Sequence, residues 1–424
     1  MSTPVIQMRT PAETALIERF AAEKATLPGA VEARAAAFAR FEKAGLPSRR
    51  VESYHYTDLR SLMRTVAPAA GESSAIGGPD FEGVPHRLVL ANGRLVDGKA
   101  PAGVSVELLG EALKAGRTSL NAGMGVAVDA VVDLNAALCR EGLFIQVSKE
   151  VGEAVLHLAF TDRIETATST MPRVIVDIAP GANFTLIESH TGPAGVAYQK
   201  NAVVELIVGD GAKVEHIRVN EAGDKALVLS TLAATLGADA ELMSLNFTSG
   251  GEVSRHQSFV TYAGENAKLR LNGVTMLNAR QHADNTLVVD HAVPHGESRE
   301  LFRTVIDGEA QGVFQGKIIV RPHAQKTDGQ MASNALLLSD EAGMSNKPEL
   351  EIFADDVVCA HGATCGALEE NQLFYLMARG LPRAEAEALL VEAFLDEALE
   401  AISHEGVREA LAAKVSGWMK ARAK

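Results

Sequence analysis

The sequence predicts a mainly β protein, a β-solenoid core set between helical N-terminal and C-terminal regions. Three observations carry this. From about Leu143, short apolar runs alternate with small turns for over two hundred residues, as in RVIVDIAPGANFTLIES, NAVVELIVGDGAKVEHIRV, LSTLAATLGADAELMSLNF and SFVTYAGENAKLRLNGV. Within them the turn alanines Ala182, Ala212, Ala240 and Ala267 recur at spacings of 30, 28 and 27 residues, a period that marks stacked repeats. No helical pattern interrupts the strand runs, whereas both ends of the chain carry helix signals. Regular short strands also suit a sandwich or barrel, which is the alternative architecture. The turn glycines and alanines read as structural.

At the N-terminus, Thr10-Pro11-Ala12-Glu13 supplies a hydroxyl cap, a proline at the first helical position and a glutamate at the third, which is a capping box. Leu16, Ile17 and Phe20 follow at helical spacing. A second helix is expected through VEARAAAFARFEKAG, stopped by a left-handed Gly45 just beyond its end. After the polar-aromatic stretch LPSRRVESYHYTDLRSLM, RLVLANGRLVDGK reads as a hairpin about Asn92-Gly93. Residues 109–142 are expected to be mixed and part helical. Beyond Ala367, LEENQLFYLMARG is a helix closed by Gly380, and Pro382 opens the next, with Leu389, Leu390, Ala393, Phe394 and Leu399 as its apolar face. GVREALAAKVSGWMKARAK is a last helix with a basic end that suits its dipole. The terminal helices are expected to cap the solenoid or to dock a partner. The expected organisation is 1–84 helical, 85–142 connector, 143–367 β core and 368–424 helical.

Composition bounds the function. With 40 basic and 54 acidic residues the net charge is −14, which argues against nucleic acid or an anionic membrane as partner. Three cysteines among 424 residues cannot staple a chain this long and point to a reducing compartment. No signal-peptide pattern or spanning apolar run is present, so a cytoplasmic location and no membrane partner are expected. No phosphate-binding glycine loop, nucleophile elbow or H-E-x-x-H occurs, so no ATP site is expected.

His282, His291 and His295 lie close together and could hold a metal. Residues on an exposed polar face of the solenoid are the favoured reading. Asp284 and Asp290 with Glu297 could mimic the carboxylate pair of a glycosidase, but aromatics make up only 5% of the chain, leaving no platform for a sugar. The stretch ADDVVCAHGATC, residues 354–365, holds two of the three cysteines. If it is extended, Cys359 and His361 project to one face, where thiolate and imidazole could ligate a metal or activate one another. Cys365 is expected across a turn. Two or three soft ligands do not close a structural zinc site, which suits a site completed by another chain. A packed cysteine and a backbone-bonded histidine are equally consistent with these residues.

The run KPELEIFADDVVCAHGATCGALEENQLFYLMARGLPRAEAEALLVEAF resembles the C-terminal signature of the SufD family, subunits of the SUF scaffold for iron–sulfur cluster assembly. GVFQGKIIVRPHAQKTDGQMASNALLLSD and PSRRVESYHYTDL extend the resemblance over nearly the whole chain. The paralogous SufB family has a Glu-His-Glu-Ala run where this chain has Cys359-Ala360-His361-Gly362, and a cysteine in the stretch equivalent to SNALLLSD. Two departures stand out: Tyr54 and His55 replace the family's tryptophan and lysine, and Cys365 is not a family cysteine.

The resemblance implies a right-handed parallel β-helix flanked by helical regions, pairing with SufB through the β-helices and docking of a SufC ATPase on the C-terminal helices. It implies that His361, and secondarily Cys359, contribute to a transient iron or iron–sulfur cluster site shared with SufB, on a scaffold without catalysis of its own. A homodimer of the chain alone is left open. Two other functions remain to weigh: a β-helix carbohydrate-active enzyme, and a purely structural partner of the ATPase.

Overall fold

The computed structural model describes residues 9–74, 77–125 and 129–422. It opens with α1 (Pro11–Glu23) and α2 (Val31–Ala44). The Thr10 hydroxyl accepts from the Glu13 amide at 3.2 Å, and the Glu13 carboxylate accepts from the Thr10 amide at 2.6 Å, so the capping box forms as the sequence requires. Gly45 stops α2 with φ 71°, its N–H donating to the Phe41 carbonyl. It is the cap itself rather than the residue beyond. A short α3 (Leu59–Leu62) follows, then β1 (Arg87–Ala91) and β2 (Arg94–Gly98). These two strands form the expected antiparallel hairpin, with positive φ at both Asn92 and Gly93, the geometry that matches strand twist in a two-residue turn. β3 (Val104–Leu108), α4 (Leu109–Lys114) and α5 (Ala130–Leu138) complete the entry region.

Strands then coil continuously: β4 (Gly142–Val147), β5 (Glu153–Thr161), β6 (Ser169–Thr170), β7 (Arg173–Ile178), β8 (Asn183–Thr191), β9 (Gln199–Val208), β10 (Lys213–Glu221), β11 (Leu227–Leu236) and β12 (Glu241–Thr248). They continue as β13 (Val253–Tyr262), β14 (Lys268–Leu277), β15 (His282–His291), β16 (Glu297–Ile306), β17 (Gln311–Val320), β18 (Asp328–Leu337), β19 (Gly343–Ile352) and β20 (Val358–Gly366). From β7 onward, β6 aside, alternate strands join two facing sheets, β8-β10-β12-β14-β16-β18-β20 in one and β7-β9-β11-β13-β15-β17-β19 in the other. The rungs stack in parallel register, so the core is a parallel β-helix, not a sandwich or barrel.

The turn alanines hold the corners of this coil. Gly181, Gly211, Asp239 and Asn266 adopt positive φ (72°, 65°, 56° and 61°), and the alanine after each is no more than 1% exposed. A left-handed residue swings the chain through the corner, and the methyl group that follows plugs the end of the lumen. Inside, Leu156, Phe184, Leu206, Leu232, Leu242, Val260 and Leu271 are part of one apolar column.

The two ends of the coil differ. Antiparallel β2 and β3 flank its first rungs. At the other end, among the described residues, β19 pairs only with β17 and β20 only with β18, leaving an open rung.

The helices do not cap the ends, as was one expectation. The N-terminal helices and α5 pack along the outer face of one sheet, sharing a core with Leu227, Leu229 and Val253. Three C-terminal helices, α6 (Glu370–Met377), α7 (Arg383–Leu399) and α8 (Glu405–Arg422), follow β20. α7 and α8 lie along the other sheet, where Val391, Leu395, Val407 and Leu411 meet Ile187, Ile217, Phe247 and Val274. The buried face of α7 is Ala386, Val391, Leu395, Ala398 and Leu399. The expected face is therefore corrected: Leu389 is 47% exposed and Ala393 is exposed. The small Ala386 and Ala398 let the helix approach the sheet closely, and that rotation leaves Leu389 outside.

Tyr54 fastens the N-terminal segment to the coil. Its hydroxyl donates to the buried Asp129 carboxylate at 2.9 Å, and its ring covers the Arg255 guanidinium at 3.9 Å. Arg255 in turn pairs with Asp284, which accepts from Thr57. Tyr54→Phe removes a hydrogen bond to a buried charge, and should lower the unfolding free energy by about 2 kcal/mol, read as an earlier urea midpoint at unchanged slope.

Candidate functional site

The residues singled out in ADDVVCAHGATC come together on the last strand. β20 is extended and pairs with β18 in the register Gly329 to Cys359, Met331 to His361 and Ala335 to Cys365. Because side chains alternate along a strand, Cys359, His361, Ala363 and Cys365 share the face that looks across the open end of the lumen. Cys365 therefore lies further along the same strand, not across a turn as expected. The extended backbone runs on through Gly362 without reversing.

Cys359 is partly buried and packs against the lumenal column, whereas His361 and Cys365 are exposed. Burial pushes the Cys359 thiol up, opposed by the Gly329 backbone hydrogen bond and reinforced by the negative groups Asp328 and Glu300. Burial alone raises the Cys365 thiol. All three cysteines are free. Cys139 lies elsewhere, buried beside the Arg34 guanidinium at 3.4 Å. Cys359 and His361 place one thiol and one imidazole two residues apart on the same face of an edge strand. Among the described residues no cluster of three or more His, Cys, Asp or Glu is placed to hold a metal.

The other candidates separate. His291 points into the lumen, bonds Ser298 at 3.1 Å and stacks on Tyr262, while His282 bonds Thr57 at 2.9 Å and His295 occupies a turn with φ 61°. The expectation of an exposed polar face is thus corrected for His291, which is fully buried. Asp284 pairs with Arg255 and Asp290 with Arg321. Six residues apart on β15, they are about 20 Å from each other, too far for a glycosidic pair. Glu297 lies on the opposite sheet.

What the sequence did not reveal is the polar interior. Midway along the lumen, Glu188 accepts from His190 and from His216 (3.2 Å), with the Arg218 guanidinium 3.5 Å away. Lys200 approaches His190 at 3.5 Å and pairs with Asp162 at 2.7 Å, and Ser244 bonds the other nitrogen of His216 at 2.9 Å. One tautomer of each imidazole satisfies this chain, its Nε2 donating to Glu188. The signal was a pair of charged or imidazole residues at alternate inward positions, Glu188 and His190 on β8 and His216 and Arg218 on β10, which becomes readable only when the inward face is known.

The fold coincides with that of a known family. The family model described as SUF system FeS cluster assembly, SufBD core domain, matches residues 160–394, and the SufBD protein N-terminal region matches residues 17–65. The chain belongs to the SufBD family. The iron–sulfur cluster assembly protein SufD of Escherichia coli K12 is 31% identical over 382 residues, covering 88% of this chain and 89% of the relative. The SufBD family iron–sulfur cluster assembly protein slr0076 of Synechocystis is 30% identical, with 84% of each chain covered. The chloroplastic protein ABCI7 of Arabidopsis thaliana is 30% identical over 58% of this chain and 52% of its own length. This SufBD protein is of SufD type, and among its described residues no helix is long and apolar enough to cross a membrane.

Proposed function

We propose that this SufBD-family protein acts as a non-catalytic scaffold subunit, pairing through the open end of its β-helix with a SufB subunit and contributing His361 and Cys359 to the iron or nascent cluster held between them. The observation that carries the proposal is the half-site. A thiol and an imidazole, both ordinary ligands for iron, sit side by side on an edge strand whose free hydrogen-bonding groups invite another strand. A site that is half complete on an unpaired edge is what a shared interface requires. Cluster iron and sulfide are cargo in this reading, and this chain's part is to hold and release them.

The helical region 368–424 is proposed as the dock for the SufC ATPase. Phe374 and Tyr375 on α6 are 72% and 56% exposed, and Leu389 on α7 is 47% exposed, apolar groups whose exposure supports a partner there. ATP-driven dimerisation of two SufC subunits would pull on these helices, open the β-helix junction and expose the pocket.

The test is His361→Ala in a complex reconstituted from the three subunits. Iron and sulfide incorporation should fall at least tenfold while the variant keeps the wild-type urea midpoint. The side chain is exposed, so its removal leaves no cavity. Full incorporation by the variant would remove His361 from the site.

A further inference from the structure

Glu300 occupies the lumen two rungs beneath the half-site, with the Ser298 hydroxyl as its polar neighbour and no cation paired to it. It is 2% exposed, and neither carboxylate oxygen has a hydrogen bond. Buried polar groups are nearly always bonded, so an orphaned carboxyl needs an explanation. The positive charge nearest to it is Arg299 on its own strand, whose pull is weaker than the push of burial. Leu271 is its neighbour in register on the rung below and Met331 on the rung above. Tyr262 and His291 face the lumen from the other sheet, where burial holds His291 neutral, pushed down to about 4. On its own strand, Arg299 faces outward and is paired with Asp328 at 2.6 Å, and Glu297 is exposed. Above lies Cys359.

The register aligns this acid with the end rung. Glu300, Met331 and His361 form one ladder row, and Ser298, Gly329 and Cys359 the adjacent row. At about 4.8 Å per rung, the Glu300 backbone lies about 10 Å below that of His361. Gly329 places no side chain between Cys359 and Ser298; a Cβ there would touch the Ser298 hydroxyl at 3.4 Å and Ile318 at 3.5 Å. A second orphan, His291 Nδ1, lies in the same stretch of lumen.

We propose that Glu300 is the counter-charge for a divalent first-row cation captured on the end rung by Cys359 and His361, a positioning residue that touches neither the ion nor its ligands. This rests on the half-site reading above. In the free chain burial pushes the carboxyl up to about 8, so near neutral pH it is largely protonated. When a dication arrives, the Cys359 thiol and the Glu300 carboxyl each release a proton to solvent, and the ion's two charges are balanced by thiolate and carboxylate. No electron moves and no other bond changes. The acid destabilises the metal-free fold: with its folded pKa above the unfolded value, its favourable contribution is complete below about pH 4.5 and is lost as pH rises through 8.

The experiment titrates the full chain with Co(II), read by thiolate-to-cobalt absorbance, between pH 6 and 8. A unit charge about 10 Å from a dication at an effective dielectric of about 20, less the cost of ionising, predicts roughly 50- to 100-fold weaker binding for Glu300→Gln at pH 7.5. The slope of log affinity against pH should fall by about one, and Glu300→Asp should keep it. Without metal, Glu300→Gln should raise the urea midpoint at pH 8.5 more than at pH 5. Unchanged affinity and slope in Glu300→Gln, with Cys359→Ser and His361→Ala abolishing binding, would overturn the counter-charge and leave the half-site standing. Cobalt binding indifferent to Cys359→Ser and His361→Ala would overturn both.

Discussion

Glu188→Gln should lower the unfolding free energy by about 3–5 kcal/mol, the cost of leaving a buried charge without its partner. Burial pushes the Glu188 carboxyl up, but contacts from His190 and His216 outweigh it and hold the group well below the usual carboxylate range. The residue therefore stands ionised at the centre of the lumen. Arg218, fully buried, keeps only the hydrogen bond from its Nη1 to Asn246 at 2.7 Å, and its Nε and Nη2 have no other partner. Burial already lowers that guanidinium to about 10, with Glu188 opposing. Neutralising Glu188 strands the arginine, and the amide's NH₂ would meet the N–H of His190 or His216 donor to donor. Urea unfolding followed by circular dichroism should show an earlier midpoint at unchanged slope. A loss below about 1 kcal/mol would mean that Arg218 has another counter-charge.

The contrast between this interior and the readable parts of the chain has a physical origin. The capping box at Thr10, the Asn92-Gly93 hairpin and the stop at Gly380 are set by a few adjacent residues, and the local chemistry suffices. The repeat was legible because each corner demands a left-handed residue followed by a small one, and Ala182, Ala212, Ala240 and Ala267 mark it. The strands are buried on both faces, lumen inside and helices outside, so the alternation that tells core from solvent is lost. In β8, Leu186 and Ile187 are both fully buried on opposite faces, and Glu188 and His190 point inward. A sequence reader expects such polar residues outside, as was expected of His291. Cys359 and His361 were legible as a pair because period two needs only a strand. That they face an open end needs the register of β18 and β20. Glu300, a long way off in sequence, joins them only through that register.

Acid should destabilise the fold by several kcal/mol between pH 6.5 and pH 4, through histidines held neutral in the interior. Burial pushes His190 down to about 3, with Glu188 opposing and Lys200 and Arg218 reinforcing, and pushes His157 and His291 down to about 4. In the unfolded chain each imidazole titrates near 6.5. Between these values the unfolded state binds more protons than the folded one, so stability rises with pH through the window and is lost as pH falls below about 6.5. Each unit of difference is worth about 1.4 kcal/mol, and three imidazoles act in the same direction. Glu188, with its folded pKa lowered, adds a loss that begins near 4.5 and deepens below it. Glu300 acts oppositely, recovering stability as pH falls from 8 to 4.5. One acid offsets only part of three imidazoles, so the sum still falls. Urea midpoints at pH 7, 6, 5 and 4 should decline steadily from about pH 6.5, with one proton taken up on unfolding for each buried imidazole. His190→Asn, which removes an imidazole pushed down to about 3, should flatten the decline while costing stability at pH 7, because Glu188 then loses a donor. A midpoint constant from pH 7 to pH 4.5 would mean that these imidazoles are already charged in the folded chain, with the lumen carrying ions to match.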